Sequence, residues 1–298
     1  MSSELDYHQI KDGTFLSHFS ERAHIYFKHY IPKKESQSKK RIHLVFQHGM
    51  IEYHKRHEDF FVFLMNHLKE NVMISVMDLL GHGLSGGHRA YVDHFDTFQK
   101  DMLSFLELCK NEFYNEPPEK TVLMGHSLGG LICLKTITEY YEELPFNIDS
   151  LVLVNPALAP KIELPNPIKS FLNKIPGHIN QIRIPLIYDA YDLSHDNEKA
   201  KSFLHDHLIS KAITLNLAKE TLRAVKGINS ASYFIEIPCF FLLSGHDKLV
   251  DNEQTKLFIT GMDKSLVKVK YYPDMYHDLL NETCRSDVFK EIMRYIKK

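Results

Sequence analysis

The sequence predicts an α/β fold in which a mostly parallel sheet of eight strands carries helices on both faces. Three observations support this prediction. Short apolar runs of β type alternate with stretches of helical periodicity, which is typical of a parallel sheet covered by helices. A glycine-rich turn joins one of these apolar runs directly to a helix. The alternation stops at residues 156–232 and then resumes, so we expect a single domain over residues 1–298 with an insertion.

The first half of the chain contains six predicted strands and three predicted helices. Residues 14–20 and 23–30 are expected to form a hairpin. Four buried or half-buried strands follow, at residues 41–47, 72–77, 120–124 and 150–154. Helical patterns separate these strands, at residues 57–70, 95–112 and 128–143. Such strand–helix–strand units place consecutive strands parallel to one another.

The interruption at residues 156–232 has no convincing strand pattern and contains six of the twelve prolines in the chain. Helices are predicted within it at residues 197–209 and 211–228. Strands resume at residues 237–243 and 266–272, and a helix over 287–297 closes the chain. We therefore interpret residues 156–232 as a helical insertion between two strands of one sheet.

Composition excludes several classes of protein. With 44% hydrophobic and 25% charged residues, the chain is neither disordered nor fibrous. Its net charge of −2 provides no excess of positive charge for binding nucleic acid. The N-terminus lacks the apolar segment of a signal peptide, and no stretch approaches the roughly 18 apolar residues of a membrane span. We expect a cytoplasmic protein, with peripheral membrane contact left open and the oligomeric state not predicted. Four cysteines without close pairing are expected to be reduced: Cys109, Cys133, Cys239 and Cys284.

The candidate nucleophile is Ser127, in the sequence Gly125-His126-Ser127-Leu128-Gly129. This G-x-S-x-G pattern follows a predicted strand and opens a predicted helix, which is the structural context that the motif requires. Glycines two residues before and after the serine avoid a steric clash in the tight turn. The N-terminus of the following helix directs its N–H groups toward developing negative charge.

A serine nucleophile needs a base, and with this motif the acid and then the histidine follow in chain order. Asp247 lies just beyond the predicted strand 237–243, where sites in open α/β sheets form. Asp251 competes with it but is better placed to cap the next helix. His277 follows the last predicted strand and is the only histidine after Asp247. We therefore predict Ser127, Asp247 and His277 as the catalytic residues.

Acyl transfer also needs two N–H donors for the oxyanion. The residue after the nucleophile, Leu128, should supply one, and Met50 in the loop after the third strand should supply the other. No metal or cofactor is expected. His205 and His207 resemble a ligand pair, but residues two apart on a helix point in different directions and no further ligands accompany them.

Further motifs give the chain a specific resemblance. His48-Gly49-Met50-Ile51-Glu52 with Arg56 is similar to an HGxxE…R pattern. Residues 78–85, DLLGHGLS, are similar to DxxGHGxS and are expected to organise a loop. Together with residues 125–130, Asp247 and His277, they resemble the monoacylglycerol lipase/lysophospholipase branch of the α/β-hydrolase family. Spacing and order agree from about residue 14 to 295.

The resemblance implies an α/β-hydrolase fold in which residues 156–232 form a helical lid over an acyl-chain tunnel. It also implies that Glu52 and Arg56 help bind the polar head of the substrate, with a purely structural ion pair as the alternative. Two positions depart from the family pattern. Met50 is bulkier than the usual small residue, and His207 stands where proline is common.

A lipid ester is the substrate that these features favour. The resemblance implies hydrolysis of monoacylglycerols or lysophospholipids, and the catalytic residues imply an acyl-enzyme. A short-chain carboxylesterase, an acyltransferase and a non-catalytic ligand-binding protein are the alternatives. Within the insertion, an apolar helical face with flanking lysines could pack onto the tunnel or dock on a membrane surface. That face consists of Ile168, Phe171, Leu172 and Ile175.

Overall fold

The computed structural model describes residues 8–33, 41–115, 117–161, 181–185 and 189–298. The strands of these residues, in chain order, are β1 (His8–Ser17), β2 (Ser20–Pro32), β3 (Ile42–Gln47), β4 (Val72–Met77), β5 (Lys120–His126), β6 (Ser150–Val154), β7 (Arg183–Pro185), β8 (Ala212–Thr214), β9 (Cys239–Ser244) and β10 (Val267–Tyr272). Eight of them form the main sheet, in the order β1-β2-β4-β3-β5-β6-β9-β10. The predicted eight-stranded sheet is confirmed.

Most of this sheet is parallel. Strands β4, β3, β5, β6, β9 and β10 run in one direction, and β2 pairs antiparallel with both β1 and β4. The central strands β3, β5, β6 and β9 are buried over almost all of their length, as expected when helices cover both faces. Parallel strands bring their C-terminal ends to a single edge of the sheet, and the loops that carry the predicted site residues leave from that edge.

The helices of the described residues are α1 (Glu58–Leu68), α2 (Asp96–Phe113), α3 (Leu128–Glu139), α4 (Asn197–His205), α5 (Leu215–Ala224), α6 (Ile228–Ala231), α7 (Asn252–Thr260) and α8 (Arg285–Ile296). Helices α2, α3 and α7 pack on one face of the sheet, around Phe105, Leu131 and Phe258. Helices α1 and α8 cover the other face, around Phe60 and Ile292. Helices on both faces were predicted and are confirmed.

The largest correction concerns the insertion, residues 156–232. We expected only helices there, but β7 and β8 pair antiparallel in a separate two-stranded sheet. Strands of three residues are too short to show the alternation by which strands are recognised in a sequence. Helix α5 therefore begins at Leu215 rather than residue 211, because residues 212–214 are extended and the Thr214 side chain caps the helix.

Other boundaries differ by smaller amounts. The N-terminal hairpin is longer than predicted and turns between Ser17 and Ser20. Helix α3 ends at Glu139 and is followed by a short 3-10 turn. The proposed apolar face at residues 168–175 lies outside the described residues. All four cysteines are free, and none of the described helices is both long and apolar enough to span a bilayer.

Candidate active site

Ser127 occupies a strained turn between β5 and α3. Its backbone has φ 52° and ψ −117°, a conformation that costs a non-glycine residue about 1–3 kcal/mol. The two flanking glycines leave no space for side chains. A Cβ on Gly125 would lie 2.5 Å from the backbone of Gly129, and a Cβ on Gly129 would lie 2.3 Å from the Gln47 carbonyl oxygen. The turn therefore requires glycine at both positions and presents Ser127 at the C-terminal edge of the sheet.

Asp247 and His277 are in direct contact. Asp247 lies in the Asp247 loop (residues 245–251), and His277 lies in the His277 loop (residues 273–284). The His277 Nδ1 is 2.7 Å from Asp247 Oδ2, and both side chains are buried. Asp251, the competing acid, instead caps α7 by accepting the Glu253 N–H. The structure therefore brings together the acid and the histidine that the chain order selects.

The environment of Asp247 favours its charged form. Burial alone would raise the pKa of this carboxyl group. His277 and the backbone N–H groups of Leu249 and Val250 outweigh that effect, and the pKa lies below its ordinary value. The two N–H groups donate to Asp247 Oδ1 at 2.8 and 2.9 Å, while Oδ2 contacts His277 and also accepts a longer bond from Asn252 Nδ2 at 3.3 Å. A charged carboxylate in this position can orient an imidazole ring and stabilise its protonated form.

Ser127 and His277 line the same cavity, of about 370 Å³. Met50 and Leu128, the predicted oxyanion donors, also line it, while Asp247 lies behind His277 and does not. A Cβ on Gly49 would be 3.2 Å from the Ser127 Cβ, so the loop that holds Met50 closely approaches the serine.

The insertion supplies much of the cavity wall. Its lining side chains are mainly apolar: Ala157, Pro160, Ile184, Pro185, Leu193, Phe203 and Ile213. The start of the insertion is attached to the Asp247 loop. The Lys161 N–H donates to the Leu249 carbonyl at 2.7 Å, and the Lys161 Nζ donates to the Asp247 carbonyl at 2.7 Å.

One end of the cavity is bordered by a buried network of charged residues, which we call the site network: Glu52, Arg56, His57, His126 and Asp278. Glu52 lines the cavity, and its Oε1 accepts bonds from the Gly49 N–H at 2.7 Å and from both histidines at 2.9 Å. Arg56 is not among the lining residues. It forms an ion pair with Asp278, with Nη2 and Oδ2 2.7 Å apart, and its Nε lies 3.4 Å from Glu52 Oε2.

The charges of this network stabilise one another. Burial favours the neutral form of Glu52, but His57 and His126 hold the pKa of the carboxyl group well below its usual range. Burial likewise favours neutral His126, but the Glu52 charge and hydrogen bond raise the pKa of this histidine above its ordinary value. The network therefore favours the charged form of the His126 imidazole, next to Ser127 in the chain.

The same residues contain atoms that can ligate a metal. The ligand atoms of Glu52, His57 and His126 lie within 4.8 Å of one another. However, Glu52 already receives three hydrogen bonds, and the Arg56 guanidinium next to it disfavours a second cation. We therefore interpret the cluster as a hydrogen-bonded ion network. The other pair considered in the sequence is separate from it, and the His205 ring bonds to the Lys201 carbonyl.

A comparison with protein families now identifies the chain. The sequence profile of the Hydrolase_4 family, described as serine aminopeptidase, S33, matches residues 38–284. That region includes every residue of the site described above. The chain belongs to this α/β-hydrolase family. The resemblance found in the motifs is confirmed, and so is the fold class.

Relatives of this Hydrolase_4 member carry lipase and phospholipase names. Human monoglyceride lipase is 26% identical over 260 residues, which cover 84% of this chain and 80% of the relative. Phospholipase YtpA of Bacillus subtilis is 24% identical over 253 residues, which cover 83% of this chain and 92% of the relative. An uncharacterized Escherichia coli protein, YnbC, is longer: the match is 26% identical over 225 residues, 74% of this chain but 37% of YnbC.

A solved structure of a soluble monoglyceride lipase variant from Saccharomyces cerevisiae, in complex with a substrate analog, has the same fold. Its TM-score is 0.78 at 16% identity, with 97% of this chain and 95% of that chain covered. At the level of the family, the comparisons support a serine hydrolase of the monoglyceride lipase type.

Sequence reasoning about this α/β-hydrolase missed Asn155. The Asn155 Nδ2 donates to the His277 carbonyl at 2.6 Å and to Ser244 Oγ at 2.7 Å, and its Oδ1 accepts the Ser244 N–H at 2.8 Å. Asn155 thereby joins the ends of β6 and β9 to the His277 loop. The signal that could have revealed it is a polar residue directly after a strand that ends in four apolar residues, at the same sheet edge as the other site residues.

Proposed function

We propose that this protein hydrolyses carboxylic esters of monoacylglycerols or lysophospholipids through a covalent acyl-enzyme. One observation carries the proposal: Ser127, on its strained turn, shares a cavity with His277, whose Nδ1 is held by Asp247 at 2.7 Å. Family membership supports serine hydrolysis, and the names of the relatives support a lipid ester.

The mechanism follows from the roles of these three residues. Ser127 Oγ attacks the acyl carbonyl carbon, and His277 takes up the hydroxyl proton. His277 then returns the proton to the leaving alcohol as the ester C–O bond breaks. Water, activated by the same histidine, attacks the acyl-enzyme and releases the carboxylic acid with Ser127 restored. Asp247 orients the imidazole and stabilises its positive charge.

Backbone donors stabilise the tetrahedral intermediate in this proposal. Leu128 is the first residue of α3, so its N–H has no partner within the helix and can donate to the oxyanion. Met50 provides the second N–H through its backbone, which is why a bulky side chain is tolerated at this position. Each such donor typically contributes a factor on the order of 10²–10³ in kcat.

The cavity favours an acyl chain on one side and a polar group on the other. The insertion contributes the apolar wall, which supports its proposed role as a lid or cap within a single domain. Glu52 contributes a carboxylate at the polar end, and Arg56 acts beside it through Asp278. Exposed apolar side chains on the insertion, Ile182, Tyr191 and Leu204, support peripheral contact with a lipid surface.

A substrate panel tests the function. Purified protein is assayed with 1-monoacylglycerol, lysophosphatidylcholine, p-nitrophenyl esters of increasing chain length and an aminoacyl p-nitroanilide. We expect turnover of the lipid esters, a preference for medium or long acyl chains and no cleavage of the anilide. Preference for acetate esters would instead indicate a carboxylesterase, and transfer to added glycerol would indicate an acyltransferase.

A variant tests the nucleophile. Ser127→Ala should lower kcat on the order of 10⁶-fold and abolish labelling by a fluorophosphonate. Ser230→Ala, at an exposed helix position that is not part of the cavity lining, is the matched control and should behave like the unaltered protein. Ester turnover that persists in Ser127→Ala would refute the proposal.

A further inference from the structure

The distal part of the insertion is joined to the His277 loop by a set of contacts, which we call the clasp (residues 193–196 with residues 276–285). Three of its bonds are Asp278 N–H to the Leu193 carbonyl (2.8 Å), Ser194 Oγ to the Asn281 carbonyl (2.9 Å) and Arg285 Nη1 to Asp196 Oδ2 (2.7 Å). Leu193 also lines the cavity. The clasp therefore connects a wall of the cavity to the loop of the predicted base.

Glu282 lies at the centre of this clasp and is completely buried. Its Oε1 accepts bonds from the Tyr276 N–H at 3.1 Å, the His195 N–H at 3.2 Å and the His195 Nδ1 at 2.8 Å. Its Oε2 accepts bonds from the Thr283 N–H at 2.8 Å and the Thr283 hydroxyl at 3.4 Å. The His195 ring also stacks on Tyr276, with 3.8 Å between the ring centroids.

These contacts require a carboxylate rather than a polar side chain of the same shape. Three backbone N–H groups around Glu282 can only donate, on Oε1 and on Oε2, and the His195 ring nitrogen and the Thr283 hydroxyl can donate as well; only an ionised carboxylate accepts on both oxygens. A glutamine in the same place would turn an NH2 group toward one set of donors and leave them unpaired. A buried donor without a partner costs about 1–3 kcal/mol, so the structure would shift to relieve it.

Tyr276 immediately precedes His277, and its N–H is the group that Glu282 holds directly. A displaced Tyr276 peptide would move the imidazole away from Ser127 while Asp247 stays in its own loop. Glu282 is not among the residues that line the cavity, so it acts through the backbone of this loop and not on the substrate. His195 connects the same oxygen to the insertion.

We propose that Glu282 is a positioning residue: it fixes the His277 loop through the Tyr276 N–H and couples the cavity wall of the insertion to that loop. The proposal rests on the proposed function, since it concerns the base of that reaction. The proposal gives the Tyr276 bond and the His195 bonds of Glu282 different effects on the kinetics. The Tyr276 bond governs the rate of chemistry, and the His195 bonds govern the fit of the acyl chain.

The test separates these consequences by kinetics on p-nitrophenyl butyrate and on a long-chain monoacylglycerol. Glu282→Gln should lower kcat on the order of 10²-fold for both substrates, as expected for a misplaced reacting group. Its KM for the short ester should change by no more than about twofold. His195→Phe keeps a ring that can stack on Tyr276 and removes the side-chain donor, so it should raise KM for the long substrate and leave kcat within about threefold.

Two further variants distinguish positioning from a general loss of structure. Arg285→Gln removes the Asp196 ion pair of the same clasp and the bond from Arg285 Nη1 to the Glu282 carbonyl oxygen (3.0 Å), but it leaves every donor to the Glu282 carboxylate in place. Its kcat should stay within about threefold of the unaltered protein. Glu282→Asp retains the carboxylate and should recover part of the lost kcat. Circular dichroism and the melting temperature report the folded fraction, to which every rate is normalised.

The outcomes are decisive in both directions. A folded Glu282→Gln protein with an unchanged kcat overturns the proposal, and so does an equal loss of kcat in Glu282→Gln and Arg285→Gln. If Glu282→Gln does not fold, an unchanged KM of His195→Phe for the long substrate overturns it. Ser127→Ala is measured alongside: if that variant stays active, the proposed function has failed, whereas an inactive Ser127→Ala with a normal Glu282→Gln refutes the positioning role alone.

Discussion

Two buried groups of residues in this protein contain histidines whose pKa values are shifted in opposite directions, upward for His126 and downward for His29 and His43. The site network places His126 against the Glu52 carboxylate, 2.9 Å away. The second group, which we call the sheet row, consists of His29, Ser75, His43, Tyr114 and Thr121, linked in that order by hydrogen bonds of 2.8, 2.8, 2.8 and 2.9 Å. The sheet row crosses β2, β4, β3 and β5, and its hydrogen-bond partners are neutral; the Glu112 carboxylate lies 3.7 Å from His29 Nε2, outside hydrogen-bond contact.

The difference shows what decides the protonation of a buried histidine. In the sheet row, burial opposes the charged ring, and it lowers the pKa of His29 and of His43 to about 3. In the site network, Glu52 overcomes the same penalty and the pKa of His126 rises. A carboxylate in hydrogen-bond contact therefore favours the charged form of a buried histidine, whereas burial among neutral partners favours the neutral form.

The largest expected effect concerns the carboxylate–histidine contact between Asp247 and His277. Asp247→Asn should lower kcat by about 10⁴-fold with little change in stability, because an amide neither orients the neutral ring correctly nor stabilises its charged form. Steady-state kinetics on a p-nitrophenyl ester measures the loss. Asp251→Asn is the matched control, since asparagine also caps a helix well. A kcat for Asp247→Asn within tenfold of the unaltered protein would remove Asp247 from the proposed mechanism.

The next effect tests the charge of the site network. Glu52→Gln removes the carboxylate that compensates His126 and leaves the Arg56 charge buried with Asp278 alone. The free energy of unfolding should fall by about 3–5 kcal/mol at neutral pH, as for other broken buried ion pairs. Urea titration followed by circular dichroism measures it. Glu198→Gln, on an exposed side chain, should change stability by less than about 0.5 kcal/mol. Equal effects of the two substitutions would contradict the charged network.

The smallest effect tests the neutrality of the sheet row. Histidine in the unfolded chain titrates near pH 6.5, whereas His29 and His43 in the folded protein titrate at about 3. Between these values the unfolded state binds more protons than the folded state. The contribution of the two neutral histidines to the free energy of unfolding is therefore complete above pH 6.5 and is lost as the pH falls. Each of the two histidines should lower the free energy of unfolding by about 1.4 kcal/mol for every pH unit of acidification in this range.

Urea unfolding at about pH 7.5 and 5.5 measures this slope. A His29→Gln/His43→Gln double variant should be less stable at the higher pH but should lose less stability on acidification. His67→Gln, on the exposed side of α1, is the control and should keep the slope of the unaltered protein. An identical slope in the double variant would show that the sheet row is not the acid-sensitive element.

The two regions also differ in how far the sequence predicts them. The turn at Ser127 is local: a strand, two glycines and a helix within ten residues determine its geometry by steric exclusion. The positions of Asp247 and His277 follow from strand ends, because a parallel sheet collects those ends at one edge. The contact between the two residues therefore agrees with a prediction made from chain order.

The sheet row has no comparable local signal. His29, Ser75 and His43 come from three different strands and meet only through the sheet register. The same holds for Glu282, which bonds to a residue 87 positions away. The β7–β8 pair escaped prediction because three-residue strands carry no measurable periodicity. The features that the sequence does not predict consist of ordinary residue types. They were missed because their contacts join residues that are far apart in the sequence.

The attachment of the insertion at two points has a consequence for how new specificities arise. Residue 161 is bonded to the Asp247 loop, and residues 193–196 are bonded to the His277 loop, so wall residues such as Ile184 lie between two anchors. Substitutions between these anchors can reshape the proposed acyl pocket while the Asp247 loop and the His277 loop stay in register. We expect natural drift and laboratory evolution to accumulate substitutions in this part of the insertion. Chimeras that take this segment from a relative should remain active when both anchors are retained.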